Sequence, residues 1–156
     1  MPFRPEKIIS GGQTGVDRGA LDAALNVEIE SGGWCPAGRL AEDGCIPERY
    51  QVRELGTGRY EDRTELNVAD SDATLIIARS ELSGGTLYTK EMACRHNRPS
   101  LVINPEVSGS EQRTAAWMSE FRPKVLNIAG PRESKDPGIQ KIAEAWLIRI
   151  FSRSND

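Results

Sequence analysis

A chain of 156 residues is sized for one domain, and 38% hydrophobic with 28% charged residues is the make-up of a soluble globular protein. No apolar run approaches the roughly 20 residues that cross a bilayer, and a net charge of −3 without a dense basic run excludes a nucleic acid gripped through its phosphates. Cys35, Cys45 and Cys94 are odd in number and widely spaced, which reads as free thiols in a reducing, cytoplasmic compartment.

Met1 to Glu6 holds Pro2 and Pro5 without an apolar core, so it does not read as a secretory leader. Lys7 to Ile9 is a short strand, Gly11, Gly12 and Gly15 break it, and Val16, Ala20, Leu21 and Ala24 recur at helical spacing. A helix start thus faces a strand end, where unpaired N–H groups and the helix dipole favour an anion. Gln13 and Thr14 are hydrogen-bond donors in that turn, Asp17 follows, and Arg18 lies one turn in. The turn is neither GxGxxG nor GxxxxGK[ST], and the simpler alternative is a tight turn that needs glycine for positive φ.

Val27 to Glu30 reads as a short strand, and Gly32 to Arg49, dense in Gly, Pro and charge, as a long irregular segment of the kind that often carries function. Within it Trp34 either meets a ligand or covers the core edge, and Arg39 either binds an anion or is solvated. Val52 to Leu55 reads as an edge strand and Asp62 to Ser71 as a short helix. Ala73 to Ala78 is continuously apolar, the pattern of a strand buried on both faces. It runs into Gly84, Gly85 and Thr86, a second glycine turn before a helix, with Thr89 one turn on. Thr86 either faces the same site as Thr89 or caps its helix. Two such turns on neighbouring parallel strands would share one crevice at the strands' carboxyl ends.

That helix runs to about Asn97, Leu101 to Ile103 is a strand, and Ser108 to Phe121 is a helix with Ala115, Met118 and Phe121 inward. Val125 to Ala129 is the last strand, and it leads into a third donor-rich turn of Gly130, Pro131, Arg132, Glu133, Ser134 and Lys135. The final helix opens near Asp136-Pro137, carries Ile139, Ile142, Ala143, Trp146, Leu147 and Ile150 on one face, and frays over Ser152 to Asp156. The alternation predicts an α/β, single-domain, Rossmann-like fold over residues 1–156, with a mostly parallel sheet and helices on both faces. Arg18, Arg39, Arg132 and Lys135 beside glycine turns make a cationic pocket on an acidic protein, which points to a small anionic ligand. Asp17 and Glu133, set among these cations, orient a guanidinium in the simplest reading; binding a ribose or pterin N–H, or holding a metal, are the alternatives. His96, the single histidine, sits at the far end of its helix, and no spacing supports zinc, so no metal site is expected.

With the three turns in view, the chain resembles the family of proposed molybdenum cofactor carriers, related to the Rossmann-like SLOG superfamily that includes the Lonely Guy phosphoribohydrolases. The likeness rests on IISGGQTGVDRGALDAA, GGWCPAGRLAEDGCIPERY, ELNVADSDATLII, SGGT with Thr89, and LNIAGPRES. The resemblance implies a site for a molybdopterin or nucleotide phosphate at Gly11 to Arg18, Gly84 to Thr86, Thr89 and Gly130 to Ser134. It further implies a homo-oligomer, with a molybdoenzyme as partner. A related permuted branch is nucleotide-binding or nucleotide-sensing, which leaves a sensing module as an alternative. The phosphoribohydrolases carry PGGxGTxxE, whereas here Glu91 stands five residues after Thr86 rather than three. The reading therefore leans to binding without catalysis; an enzyme would use Asp17, Glu91 or Glu133 as acid or base.

Overall fold

The computed structural model describes residues 3–152. The expected fraying of the last residues falls, beyond Ser152, outside them. The strands are β1 (Lys7–Ile9), β2 (Glu30–Gly32), β3 (Trp34–Cys35), β4 (Leu40–Ala41), β5 (Gly44–Cys45), β6 (Arg53–Glu54), β7 (Ala73–Ile77), β8 (Ser100–Ile103) and β9 (Val125–Ala129). The helices are α1 (Val16–Asn26), α2 (Tyr60–Ala69), α3 (Gly84–Arg95), α4 (Ser110–Phe121) and α5 (Ile139–Phe151).

Five strands form one sheet in the order β2-β1-β9-β7-β8, and every pairing in it is parallel. Parallel neighbours need crossovers, and the helices that supply them cover both faces. The buried apolar sides of α1, α4 and α5, including Ala20, Trp117, Trp146 and Leu147, pack with Ile8, Leu75, Ile77, Leu126 and Ile128 of the strands. On the other face α2 and α3 meet through Val68, Met92 and Ala93. The predicted α/β, Rossmann-like architecture is therefore present. Ser110 Oγ of α4 accepts from Trp146 Nε1 of α5 at 3.1 Å, which satisfies the one polar atom of a fully buried indole.

The last strand in the chain occupies the middle of the sheet. β1 and β7 are consequently not neighbours, as the sequence had suggested, but flank β9. Their carboxyl ends still converge, because the third turn, after β9, lies between the other two.

Several boundaries move for identifiable reasons. Val27 N–H still bonds to Ala23 O and Glu28 takes φ 60, so the chain reverses before β2 begins at Glu30 rather than Val27. The segment expected to be irregular contains short ladders: β4 pairs antiparallel with β5, and β3 pairs parallel with β6 in a small sheet apart from the main one. Around it Leu21, Cys35, Ile46, Tyr50 and Val52 form a separate apolar cluster. In α4 the inward side chains are Thr114, Trp117 and Met118, while Phe121 is 46% exposed at the helix end. α5 starts at Ile139 rather than Asp136, because the Asp136 carboxylate is held by Arg79 at 2.5 and 3.0 Å and does not cap. Among the described residues no helix is long and apolar enough to cross a membrane, and no group of three or more His, Cys, Asp or Glu side chains could hold a metal ion.

Candidate functional site

A cavity of about 340 Å³ opens at the carboxyl edge of β1, β9 and β7. Its walls bring together residues from all three glycine turns: Gln13 and Asp17 from the first, Gly84, Gly85, Thr86 and Thr89 from the second, Gly130, Pro131 and Arg132 from the third. Tyr60, Glu61, Arg63 and Thr64 of α2, Tyr88 of α3, Ser83 and Lys135 complete it.

The three turns differ in what they have left to offer. In the first, Gln13 N–H donates to Asp17 Oδ2 at 3.2 Å, Thr14 N–H to Gln13 Oε1 at 3.0 Å, Gly15 N–H to Gln140 Oε1 at 3.1 Å, and Val16 N–H to Pro131 O at 3.2 Å. The start of α1 is thus occupied by protein acceptors, which corrects the expectation of free donors there. Gly15 has φ +84, and a Cβ would stand 2.3 Å from the Pro131 carbonyl oxygen, so the first and third turns are in backbone contact. Gly11 and Gly12 are buried beneath Arg63 and Ile46 and do not line the cavity.

The second turn is open. Ser83 precedes α3 without a side-chain cap, so the first N–H groups of that helix have no capping acceptor and the positive end of its dipole faces the cavity. Thr86 therefore is not the cap; it and Thr89 are both buried in the cavity wall, with Thr89 Oγ1 donating to Gly85 O at 2.9 Å. From the third turn Arg132 and Lys135 add exposed cationic side chains.

Two predicted anion ligands do other work. Arg18 is 5% exposed, donates from Nε to Gly12 O at 3.0 Å, and clamps the Asp43 carboxylate at 2.5 and 2.8 Å. Arg39 donates to the carbonyl oxygens of Ile46, Pro47, Tyr50 and Val52 at 2.8–3.2 Å. Its five N–H donors make it the internal tie of the 39–52 loop, so the structure does not bring it to the cavity. Thr14 and Ser134 hydrogen-bond Glu42. Glu133 accepts from Gly138 N–H at 2.6 Å and Gln140 N–H at 3.0 Å, which caps α5 rather than orienting an arginine. Glu91 is exposed and absent from the cavity wall, and His96 terminates α3 and pairs with Glu65 at 2.9 Å. Trp34 stands outside this cavity, with Nε1 donating to Asp70 at 2.7 Å and the Arg53 guanidinium over its ring at 5.2 Å.

Arg63 is the functional candidate that sequence reading missed. Its Nη1 donates to Asp17 Oδ2 at 3.0 Å, while its Nε is buried without an acceptor. Arg63 lines the cavity with its guanidinium, while this Nε–H, closed off from solvent, is a buried donor without a partner. Burial pushes the Asp17 carboxyl up, and the neighbouring Arg63 charge opposes that shift. The signal available in sequence was slight: an arginine on a polar helix just before the buried strand β7.

Comparison with known proteins agrees with this architecture. A search of curated proteins finds no match. The crystal structure of a proposed molybdenum carrier protein from Syntrophus aciditrophicus SB superposes with a TM-score of 0.92 at 45% sequence identity, covering 97% of each chain. The profile of the circularly permuted YpsA SLOG family matches residues 8–151, and the placement of the final strand at the centre of the sheet suits that description. The chain belongs to the circularly permuted YpsA SLOG family.

Proposed function

We propose that this protein binds a small phosphorylated heterocycle, a molybdopterin or a nucleotide, and holds it without chemistry of its own. The observation that carries the reading is the convergence of free donors on one cavity. The uncapped start of α3, Arg132 and Lys135 meet there, with the Arg63 guanidinium in the wall beside them. Such donors suit a phosphate, because charge-assisted bonds to an oxyanion are the strong ones. The Tyr60 and Tyr88 rings supply apolar surface for a flat ring system, and the Asp17 and Glu61 carboxylates can accept from ring N–H or sugar hydroxyl groups. The name of the 45%-identical neighbour favours the molybdenum-containing pterin among such ligands.

The experiment is native mass spectrometry of the protein purified gently from its own cells, followed by denaturation and identification of the released molecule. A pterin with molybdenum or tungsten supports the carrier reading, a nucleotide turns it to nucleotide binding or sensing, and a protein that emerges empty and takes up neither overturns it. The same reading carries a cytoplasmic homo-oligomer that hands its ligand to a molybdoenzyme. Light scattering and transfer to a cofactor-free molybdoenzyme test those parts.

One observation favours a second reading, a nucleotide-processing enzyme. Asp17 is a buried carboxyl in the cavity wall with its proton affinity raised, the state expected of an acid or base. Turnover of a nucleotide such as AMP that is lost in Asp17→Asn would support it, and no turnover by the wild type across a nucleotide panel would remove it.

A further inference from the structure

At the rim of the cavity a second set of oxyanion donors is already filled from within the chain. The Thr14 hydroxyl donates to Glu42 Oε2, the Ser134 hydroxyl donates to Oε1 at 2.5 Å, and the Ser134 N–H donates to Oε2 at 3.2 Å. Arg132 Nη1 stands 3.9 Å from Oε1. Donors from the first and third glycine turns therefore converge on one carboxylate that belongs to neither. Two hydroxyls, a loop N–H and a guanidinium are the set of groups that holds a phosphoryl oxygen.

Glu42 reaches this cradle from the tip of the β4–β5 hairpin. Its N–H donates to Gln13 Oε1 at 2.9 Å, and the adjacent Asp43 is clamped by Arg18. The hairpin is thus tethered at Asp43 independently of the Glu42 carboxylate. Gln13 and Arg132, which contact Glu42, also line the cavity, so the cradle adjoins it.

We propose that Thr14, Ser134 and Arg132 form an oxyanion subsite beside the cavity, and that Glu42 is its internal occupant, displaced when a phosphoryl group of the ligand enters. The Glu42 carboxylate and a phosphoryl group carry like charge and call on the same donors, so they compete for them at close range. Entry of the phosphoryl group moves Glu42 out, while the Asp43–Arg18 clamp keeps the hairpin beside the site. The identity of the ligand rests on the functional reading above, but the subsite itself is accessible to inorganic phosphate alone.

The test titrates inorganic phosphate into wild type, Glu42→Ala and Glu42→Gln, followed by calorimetry or ³¹P NMR, with AMP and the extracted ligand run in parallel. Glu42 is on an exposed hairpin tip, and the amide variant retains its shape, so folding is checked by a single cooperative melt and an unchanged far-ultraviolet circular dichroism spectrum in each variant. Removing the competitor should tighten phosphate about tenfold or more in Glu42→Ala, the scale of lost charge-assisted hydrogen bonds, with Glu42→Gln between. Adding Ser134→Ala to Glu42→Ala should abolish the gain. Equal phosphate affinity in wild type and Glu42→Ala overturns the proposal, and so does a gain that survives Ser134→Ala. If the heterocycle binds equally to wild type and Glu42→Ala, the subsite fails and the cavity reading stands. If phosphate tightens as expected but no heterocycle binds, the subsite stands and the cavity reading fails.

Discussion

Arg63 Nη1 of α2 lies 3.0 Å from Asp17 Oδ2 of α1, with 13% and 7% of the two side chains exposed. α1 and α2 cover opposite faces of the sheet, so the pair joins the two layers over the carboxyl edge of the strands. It also places a cation at the floor of the cavity without leaving a buried carboxylate alone.

Arg63→Ala should therefore cost stability as well as ligand affinity. A buried carboxylate that loses its partner typically costs about 3 kcal/mol. The pH dependence follows from the sign of the shift. Burial already raises Asp17 above its ordinary 3.8, and loss of Arg63 raises it further, so the native variant holds a proton that the unfolded chain has released. Its deficit relative to wild type grows as pH rises through the wild type's own raised value towards the still higher one of the variant. Thermal melts at pH 5 and pH 7.5 check this, and a deficit independent of pH would show that the ion pair is not what Arg63 contributes.

Two glycine-to-alanine changes in the same turn should behave differently. A Cβ at Gly11 would meet Arg63 Nη1 at 1.6 Å, the far end of a flexible side chain. Gly11→Ala should fold but expel Arg63, and so reproduce the binding loss of Arg63→Ala. At Gly15 the Cβ meets backbone, 2.3 Å from Pro131 O and 2.7 Å from Glu133 N, at φ +84. Gly15→Ala should cost on the order of 3–5 kcal/mol. Denaturant titration ranks the two, and a reversed order would mean that the third turn yields more easily than the Arg63 side chain.

Arg39 and Arg132 separate structure from binding. Arg39→Ala leaves four loop carbonyls without their donor, and the melting temperature should fall while ligand affinity holds. Arg132→Ala should leave melting near wild type and weaken a phosphorylated ligand about tenfold, the scale of one charge-assisted bond. Melting curves and calorimetry on both variants check the pair of outcomes.

Acid should release the β4–β5 hairpin before the rest of the fold. Hydrogen bonds from Ser134 and Thr14 hold Glu42 below its ordinary 4.5, and Arg18 holds Asp43 below its ordinary 3.8. A lowered carboxyl contributes stability that is fully present above its unfolded value and lost as pH falls through its folded one. The Ser134 and Glu42 amide resonances should move over that acidic range while those of β7 stay fixed. In Glu42→Gln the Ser134 shift should be absent.

How much was legible in the sequence depends on the range over which each feature is decided. β1 and β9 appear over the residues expected, and α1 begins at Val16, because a β-branched run, a glycine break and a 3.6-residue period are local signals. Of the expected ligand residues, Gln13, Asp17, Gly84, Gly85, Thr86, Thr89, Gly130, Pro131 and Arg132 do meet in one cavity. Topology explains why: strands followed at once by glycine turns deliver those turns to one edge of a parallel sheet.

The sequence by itself determined the alternation of elements, the parallel sheet and the edge where the turns gather, since each follows from neighbours along the chain. Only the tertiary structure decided which donors remain free. Arg18 is claimed by an aspartate 25 residues on, and Asp17 takes its cation from an arginine 46 residues on. Thr14 and Ser134, far apart in the chain, close on a glutamate from a hairpin that the sequence did not reveal. A charged side chain carries no mark of its partner, because the partner is chosen by packing that brings distant segments together.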